Sequence, residues 1–291
     1  MKKWVVTIVF LLLPFSAFSV EAKSPEVYIA IGDSLAAGQT PYRAIDAGYT
    51  DLIAGELKRS HQLALYSKGL AFPGFTTADV LSTVQSEEAK ELLKNATLVT
   101  ISAGANDLLR LVQVNPSNGS LSYQQIPVNF ALNNVRKNIA AVIKEVKEAA
   151  PKAKVYVMGY YFAYPHVHES QKQGVQQELN TLNTILKTQA ESNDAVYVSV
   201  EEAFAPQAKE LIPNPADVHP SMEGYRIMAN AFFAQYNKRL QVRPNELPIP
   251  NPLTFEEIIN GQKEAAAAPT PISRVEGLEN YLSLTELKPL I

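Results

Sequence analysis

Two short stretches of the chain carry residue types that could do chemistry. In "PNPADVHPSMEGY", His219 follows Asp217 at two residues, and a carboxylate beside an imidazole suggests the base of a catalytic dyad or triad. In "IAIGDSLAAG", Ser34 follows an apolar run that reads as a buried strand, so it would project from the carboxyl edge of a sheet, where ligands bind in open α/β folds. The structural alternative is that Asp33 or Ser34 caps the next helix.

Two further strand ends present groups suited to binding a ligand. In "ISAGANDLL", Asn106 can offer its side-chain amide and Asp107 can cap the helix that follows. In "LAFPGFTTADVL", Gly74 either permits a turn or lets its backbone N–H approach a ligand without a side chain in the way, and Thr76 or Thr77 opens a helix.

The elements that must position these residues alternate along the chain, which is typical of a parallel sheet covered by helices. The strand candidates are "EVYIAIG" (26–32), "QLALYS" (62–67), "ATLVTISAG" (96–104), "AKVYVMGYY" (153–161) and "AVYVSV" (195–200), of which "TLVTIS" and "KVYVMG" should be central. Helical patterns occupy about 46–59, 77–93, 128–149, 169–192 and 221–239.

Taken in order, these pieces resemble the GDSL or SGNH hydrolase superfamily. "GDSL" is similar to its first block, with Ser34 as nucleophile, and Gly74 is similar to the glycine of its second block. "GAND" matches the third-block Gly-x-Asn-Asp with Asn106 in the oxyanion role, and "DVHPSMEGY" resembles the fifth block with His219 as base. The resemblance covers roughly 26–235, and the text around the histidine looks closest to secreted, Bacillus-type lipase or acylhydrolase members.

This resemblance implies one three-layer α/β/α domain with a mainly parallel, five-stranded, flavodoxin-like sheet. It also implies hydrolysis of carboxylic esters through an acyl-serine, with no metal or organic cofactor required. The oxyanion donors would be the backbone N–H groups of Ser34 and Gly74 and the side chain of Asn106. Small-molecule, lipid and acylated-carbohydrate esters all stay open as substrates.

The fifth block departs from the family pattern. The acid usually precedes the histidine by three residues, but that position holds Ala216, and Asp217 is one residue closer. In an extended segment Asp217 could still reach the ring, whereas a turn would direct it elsewhere, leaving Asn214 or a backbone carbonyl to orient His219. We expect Asp217 to serve. The irregularity motivates the alternative function of a non-catalytic cell-envelope binding protein that retains the hydrolase fold.

The two ends of the chain differ from its middle. Lys2 and Lys3, a following apolar run and "VEA" are typical of an export signal over 1–22, with an uncleaved anchor as the alternative. We expect a secreted or cell-envelope protein with no stable membrane span after cleavage. The hydrolase domain should occupy 25–240, and the proline-rich residues 244–291 read as an appendage, partly helical or mobile.

Composition narrows the possible partners. A formal charge of −3 with no basic stripe argues against nucleic acid, and the absence of cysteine excludes disulfides and thiolate zinc sites. His166 and His168 form a pair that could bind a metal, although a solvated loop or a substrate rim is the favoured interpretation. They lie in 160–170, one of two long connections, with 108–128, that should shape a site. Aromatic residues there either line a pocket or pack against a helix: Tyr160, Tyr161, Phe162 and Tyr164.

Overall fold

The computed structural model describes residues 24–249, and its centre is a five-stranded parallel sheet. The strands are β1 (Glu26–Gly32), β2 (Leu63–Ala71), β3 (Leu98–Ser102), β6 (Lys154–Met158) and β7 (Val196–Val198), in the spatial order β2-β1-β3-β6-β7. A separate two-stranded antiparallel hairpin is formed by β4 (Gln113–Asn115) and β5 (Ser120–Ser122). The predicted fold class is confirmed.

The inner strands are the ones with continuous apolar sequence. Every residue of β3 is buried, as are four of the five residues of β6, because helices cover both faces of the sheet. The prediction that these two strands are central is confirmed. The prediction for β2 stopped too early, at 67. This strand continues to Ala71, and its irregular register beside β1 blurs the period-two pattern that would have revealed it.

Ten α-helices surround the sheet in the described part of the chain. They are α1 (Ser34–Ala37), α2 (Tyr49–Arg59), α3 (Thr77–Val84), α4 (Glu87–Leu93), α5 (Ala105–Leu109), α6 (Gln125–Ala149), α7 (Glu169–Ser192), α8 (Glu201–Phe204), α9 (Ala208–Leu211) and α10 (Met222–Tyr236). Helices α2 and α10 pack together on one side, while α3, α6 and α7 pack together on the other. The result is a three-layer α/β/α sandwich.

The single helix predicted over 77–93 is wrong, because two helices occupy that segment. Helix α3 ends at the C-cap Gln85, and Ser86 begins α4 by accepting a hydrogen bond from the N–H of Ala89 on its side-chain oxygen. The side chain of a serine in this place hydrogen-bonds a backbone N–H group and so separates the two helices, although the apolar periodicity of the sequence continues across it.

The described body of the protein extends slightly beyond the predicted domain end at 240. Val242 is buried, and its backbone N–H and C=O bond to the side-chain amide of Asn230 on α10. A short 3-10 turn follows at Pro244–Glu246, where Glu246 pairs with Arg59 at 3.3 Å. The expected signal at 1–22 and residues 250–291 of the predicted appendage (244–291) lie outside the described residues. Within 24–249 no helix is long and apolar enough to cross a membrane.

Candidate active site

Ser34 begins a short helix directly at the carboxyl end of β1. Gly32 makes this placement possible: its φ is +143°, and a Cβ there would lie 2.1 Å from the carbonyl oxygen of Ser102 on β3. That same carbonyl accepts the N–H of Asp33 at 2.9 Å. Asp33 then caps α1 through its side chain, so the capping interpretation holds for Asp33 while Ser34 occupies the first helical position.

His219 meets Ser34 at this edge of the sheet, although 185 residues separate them in the chain. Its Nε2 lies 2.7 Å from Ser34 Oγ, which is hydrogen-bonding distance. The histidine comes two residues before the N-cap of α10, where Ser221 accepts the N–H of Gly224. Both side chains are nearly buried, since Ser34 is 7% exposed and His219 is 8% exposed.

Asp217 contacts the other ring nitrogen of His219 despite the shortened spacing. Its Oδ1 lies 2.5 Å from Nδ1 and also accepts the backbone N–H of His219 at 2.8 Å. The turn in this segment closes earlier, where Asp217 N–H donates to Asn214 C=O, so the carboxylate folds back onto its own loop instead of pointing away. An aspartate readily bonds the backbone two residues on, which makes Asp-x-His a workable spacing.

The charge of Asp217 is favoured by this arrangement. Burial raises the pKa of the carboxyl, but hydrogen bonds from the ring and the N–H of His219, together with the nearby charges of His219 and Arg43, outweigh burial and hold the pKa below its ordinary value. Because a carboxylate only accepts hydrogen bonds, Nδ1 carries the proton and Nε2 is free to accept one from Ser34.

The other groups that could have oriented His219 are engaged elsewhere. The side chain of Asn214 donates to the carbonyl of Pro41 and accepts the N–H of Ala216. The carbonyl of Val218 accepts the hydroxyl of Tyr161 at 2.9 Å, and this tyrosine ring stacks on Phe204 at 4.2 Å. These contacts hold the loop that presents His219.

Asn106 and Gly74 lie on neighbouring connections that are bonded to each other. The side-chain amide of Asn106 donates to the carbonyl of Phe75 at 2.9 Å, which leaves its second hydrogen for a ligand. Gly74 has φ +82° with open space around its α-carbon, while Phe72 N–H donates to Gly32 C=O. Asn106 lines the same cavity as Ser34 and His219, whereas Gly74 stands one residue before Phe75, outside the cavity lining.

The expectation that Asp107 caps its own helix is wrong. Asp107 lies inside α5, whose N-cap is Gly104, and its carboxylate instead accepts the N–H and hydroxyl of Thr77 at 2.8 and 2.7 Å. Thr76, not Thr77, is the N-cap of α3. Asp107 therefore joins the segment after β3 to the segment after β2. Sequence alone could not show whether this carboxylate binds the start of its own helix or the start of a helix that follows another strand.

A largely apolar cavity opens beside Ser34 and His219. The volume of this cavity, including the part that is open to solvent, is about 840 Å³. The predicted site-shaping role of 108–128 and 160–170 is seen in its walls, which also include α6 and α7. The apolar lining residues include Leu108, Leu109, Val112, Leu121, Val128, Phe162, Val175, Leu179 and Leu182. Of the aromatic residues considered from sequence, all four line the cavity, and Tyr160 and Tyr161 also pack in the core.

The hairpin of β4 and β5 lies within the site-shaping connection 108–128, but the sequence patterns did not predict its strands. Gln171 of α7 holds it by accepting the N–H of Leu121 at 2.9 Å and donating to the carbonyl of the same residue. At the tip, Gly119 C=O accepts the N–H of His168. The two strands have only three residues each, too few for a periodic signal, although the turn residues "PSNG" between them are typical of a hairpin.

His166 and His168 are not brought together as a metal site. His166 Nε2 bonds the carbonyl of Ile212, and His168 Nδ1 bonds the hydroxyl of Ser170. Within 24–249 no cluster of three or more histidine, aspartate or glutamate side chains could hold a metal ion.

The sequence profile of the GDSL-like lipase/acylhydrolase family matches residues 30–227, which span all the strands of the main sheet except the first residues of β1. The chain belongs to this family. The predicted resemblance is thus confirmed. The curated relative YpmR of Bacillus subtilis (strain 168), an uncharacterized protein, is 23% identical over 226 residues, covering 76% of this chain and 86% of YpmR.

Solved structures of a lipase and of an acetylxylan esterase share the fold of this chain. A lipase from a goat rumen metagenome superposes with a TM-score of 0.58 at 20% identity, covering 72% of this chain and 96% of the lipase. An acetylxylan esterase from Geobacillus stearothermophilus superposes with a TM-score of 0.53 at 21% identity, covering 74% and 95%. At such identities the likeness establishes the architecture alone.

Proposed function

We propose that this GDSL-family protein is a serine esterase that cleaves carboxylic esters through an acyl-Ser34 intermediate. One observation carries the proposal: Ser34 Oγ, the ring of His219 and the carboxylate of Asp217 form a continuous set of hydrogen bonds beside an apolar cavity that Ser34 and His219 line. Such an arrangement supplies a nucleophile, its base and the group that orients the base.

In the proposed reaction, Ser34 Oγ attacks the ester carbonyl while its proton passes to His219 Nε2. Asp217 stabilises the imidazolium that forms, and the same proton then goes to the leaving alcohol. The second N–H of the Asn106 amide and the backbone N–H groups of Ser34 and Gly74 are the proposed oxyanion donors, each of the kind whose loss costs about 2.7–4 kcal/mol of transition-state stabilisation. Water, activated by His219, releases the acid in the second half.

The cavity favours acyl groups longer than acetyl. An acetyl group would leave most of an aliphatic lining without contacts, whereas each buried methylene of an alkyl chain contributes about 0.8 kcal/mol. Among the fold relatives are a lipase and an acetylxylan esterase. The apolar lining supports a lipase-like preference for alkyl chains over an acetyl group, and we propose alkyl-chain esters of intermediate length as substrates.

We also propose that residues 1–22 direct export, so that the enzyme works outside the cell or in the cell envelope. The lysines at the start, the apolar run after them and the small residue at 22 support this proposal. Mass spectrometry of the protein from culture medium and cell envelope tests it, with Lys23 expected as the new N-terminus. An intact Met1 on the envelope fraction would instead favour the anchor.

The catalytic proposal is tested by Ser34→Ala. Hydrolysis of p-nitrophenyl octanoate should fall by about 10³-fold or more, because the nucleophile is absent while the cavity is intact. The wild-type protein should take up one fluorophosphonate at Ser34, located by mass spectrometry, and the variant should take up none.

Ser192→Ala is the matched control. Ser192 ends α7 before β7 begins, at the opposite edge of the sheet, so this variant should hydrolyse and label like the wild type. Undiminished hydrolysis by Ser34→Ala would remove Ser34 from the mechanism. Saturable binding of an ester without turnover or labelling in the wild type would favour the non-catalytic binding protein. The short Asp-x-His spacing motivated that alternative, but Asp217 contacts His219 at 2.5 Å despite this spacing.

A further inference from the structure

A second carboxylate lies beneath the nucleophile, and the proposed reaction does not use it. Asp33 is 1% exposed and immediately precedes Ser34. Its Oδ1 accepts the N–H of Leu35 at 3.0 Å and the hydroxyl of Ser102 at 2.6 Å, and its Oδ2 accepts the hydroxyl of Tyr160 at 2.6 Å. The carboxylate therefore caps α1 and is itself held by two side chains from β3 and from the connection after β6.

The backbone of Tyr160 is fixed by hydrogen bonds to the side chain of Asn183. Its backbone N–H donates to Asn183 Oδ1 and its carbonyl accepts from Asn183 Nδ2, both at 2.8 Å. The same amide nitrogen donates to Glu201 Oε2 at 3.1 Å. A continuous set of hydrogen bonds thus runs from α8 and α7 through Tyr160 to the residue that precedes the nucleophile.

All three partners of Asp33 donate, and this set of donors suits the ionised form. Burial raises the pKa of Asp33, and the hydrogen bonds from Ser102, Tyr160 and Leu35 oppose that rise. Several titratable groups from the surrounding elements face this carboxylate: Tyr49 of α2, Tyr160 and Tyr161 after β6, His219 before α10, and Tyr225 of α10. Burial raises the pKa of each of these tyrosines, so they stay neutral hydroxyls near Asp33.

We propose that Tyr160 is a positioning residue for the esterase reaction, acting through Asp33 to hold Ser34 Oγ on His219 Nε2. The inference rests on the proposed function. Without the hydroxyl, Oδ2 loses its buried donor, and the carboxylate must turn or recruit another partner, which disturbs the cap that sets the first turn of α1. A displacement of the nucleophile by about 1 Å can slow an aligned reaction by about 10²-fold.

Tyr160→Phe tests the proposal, because it removes the hydroxyl and keeps the ring that lines the cavity. With p-nitrophenyl octanoate we expect kcat to fall about tenfold while KM changes by less than about twofold. Rates are expressed per site that reacts with fluorophosphonate, so that unfolded protein does not count. Tyr156→Phe is the matched control, since this hydroxyl on β6 is buried without a hydrogen-bond partner in the described part of the chain.

A double-mutant cycle with Asp33→Asn separates positioning from simple packing. If Tyr160 acts through Asp33, Tyr160→Phe should change kcat by less than about twofold in the Asp33→Asn background. A Tyr160→Phe kcat equal to that of the wild type, or the same tenfold loss in both backgrounds, would overturn the inference while leaving Ser34 chemistry intact. A wild-type protein that neither hydrolyses esters nor labels at Ser34 would overturn the proposed function and this inference together.

Discussion

Asp217 contacts His219 although it lies one residue closer to the histidine than the acid of the usual family pattern. The carboxylate accepts both the ring Nδ1–H and the backbone N–H of His219, so one oxygen orients the side chain and closes the loop at once. The aspartate needs no extended strand to reach the ring. Its lowered pKa follows from the same contacts, because each of them favours the charged form against burial.

Asp217→Asn is expected to lower kcat by about 10²–10⁴-fold, because an amide in this place can donate to Nδ1 and stabilise the wrong tautomer of His219. The pKa of Asp217 lies below its ordinary value of 3.8, so the wild-type carboxylate stays charged above that pH and its contribution is lost only as the pH falls through the lowered pKa. The charge of Asp217 should therefore be constant from about pH 5 to 8, and any change of rate within that range comes from other groups.

Steady-state rates across this pH range provide the measurement. Near-normal kcat in Asp217→Asn would indicate a dyad of Ser34 and His219 alone. An Asp217 carboxyl that titrates above pH 5, followed by NMR of the 13C-labelled protein, would contradict the lowered pKa.

At the scale of elements, helix α7 connects the sheet edge to the hairpin wall. Leu182 packs near Gly104 at the sheet, while Gln171 at the other end of the cavity holds β5. Between them, Glu178 lines the cavity about 6 Å along the helix from Leu182, and its Oε1 accepts from Gln125 of α6 at 3.0 Å. A carboxylate thus borders an otherwise aliphatic part of the wall.

Glu178→Leu is expected to shift acyl preference toward longer chains. An alkyl chain that reaches Glu178 must displace water from a charged group, and a leucine removes that cost, so kcat/KM for a decanoyl ester relative to a butyryl ester should increase roughly three- to tenfold. The measurement is a series of p-nitrophenyl esters from acetate to dodecanoate.

Two variants serve as controls for this shift. Glu178→Gln keeps the bond to Gln125 and should move the preference less, and Gln177→Leu places the same leucine on the solvent side of α7 and should leave it unchanged. An unaltered chain-length profile in Glu178→Leu would show that acyl chains do not reach this part of the cavity.

At the scale of the whole molecule, the sheet order places the site. The chain enters at β1, adds β2 on one side and then crosses to add β3 on the other, so the loops after β1 and β3 diverge and leave a crevice at their carboxyl ends. Ser34 and Asn106 lie in α1 and α5, the short helices that follow these two strands, and the loop before α10 brings His219 to the same edge. The close approach of Gly32 to Ser102 is the contact on which that crevice depends.

Two glycine substitutions test this dependence. Gly32→Ala should lower the free energy of unfolding by about 2–4 kcal/mol, because its φ of +143° is strained for alanine and its Cβ would meet a backbone carbonyl. Gly55→Ala, inside α2 with its nearest neighbour atom 3.6 Å away, should raise the free energy by about 0.5–1 kcal/mol. Urea unfolding measures both, and a Gly32→Ala protein as stable as the wild type would show that β1 and β3 can separate.

Residue types and periodicity in the sequence were enough to predict the alternation of strands and helices, the two central strands β3 and β6 and the long helices. The resemblance to the GDSL family supplied the three-layer architecture and the roles expected of Ser34, Gly74, Asn106 and His219. These features depend on local pattern or on contiguous motifs. Weak or competing local signals determine three features that the sequence did not predict. These are the hairpin, the division of the 77–93 helix and the partner of Asp107. Sequence patterns do not decide between such signals.

Only the tertiary structure decided which groups meet at the sheet edge. Asp217 reaches His219 through the way its loop closes, and Tyr160 reaches Asp33 across 127 residues of chain. Contacts of this kind have no periodicity and no fixed spacing, because they are set by how strands and helices pack and not by the order of neighbouring residues.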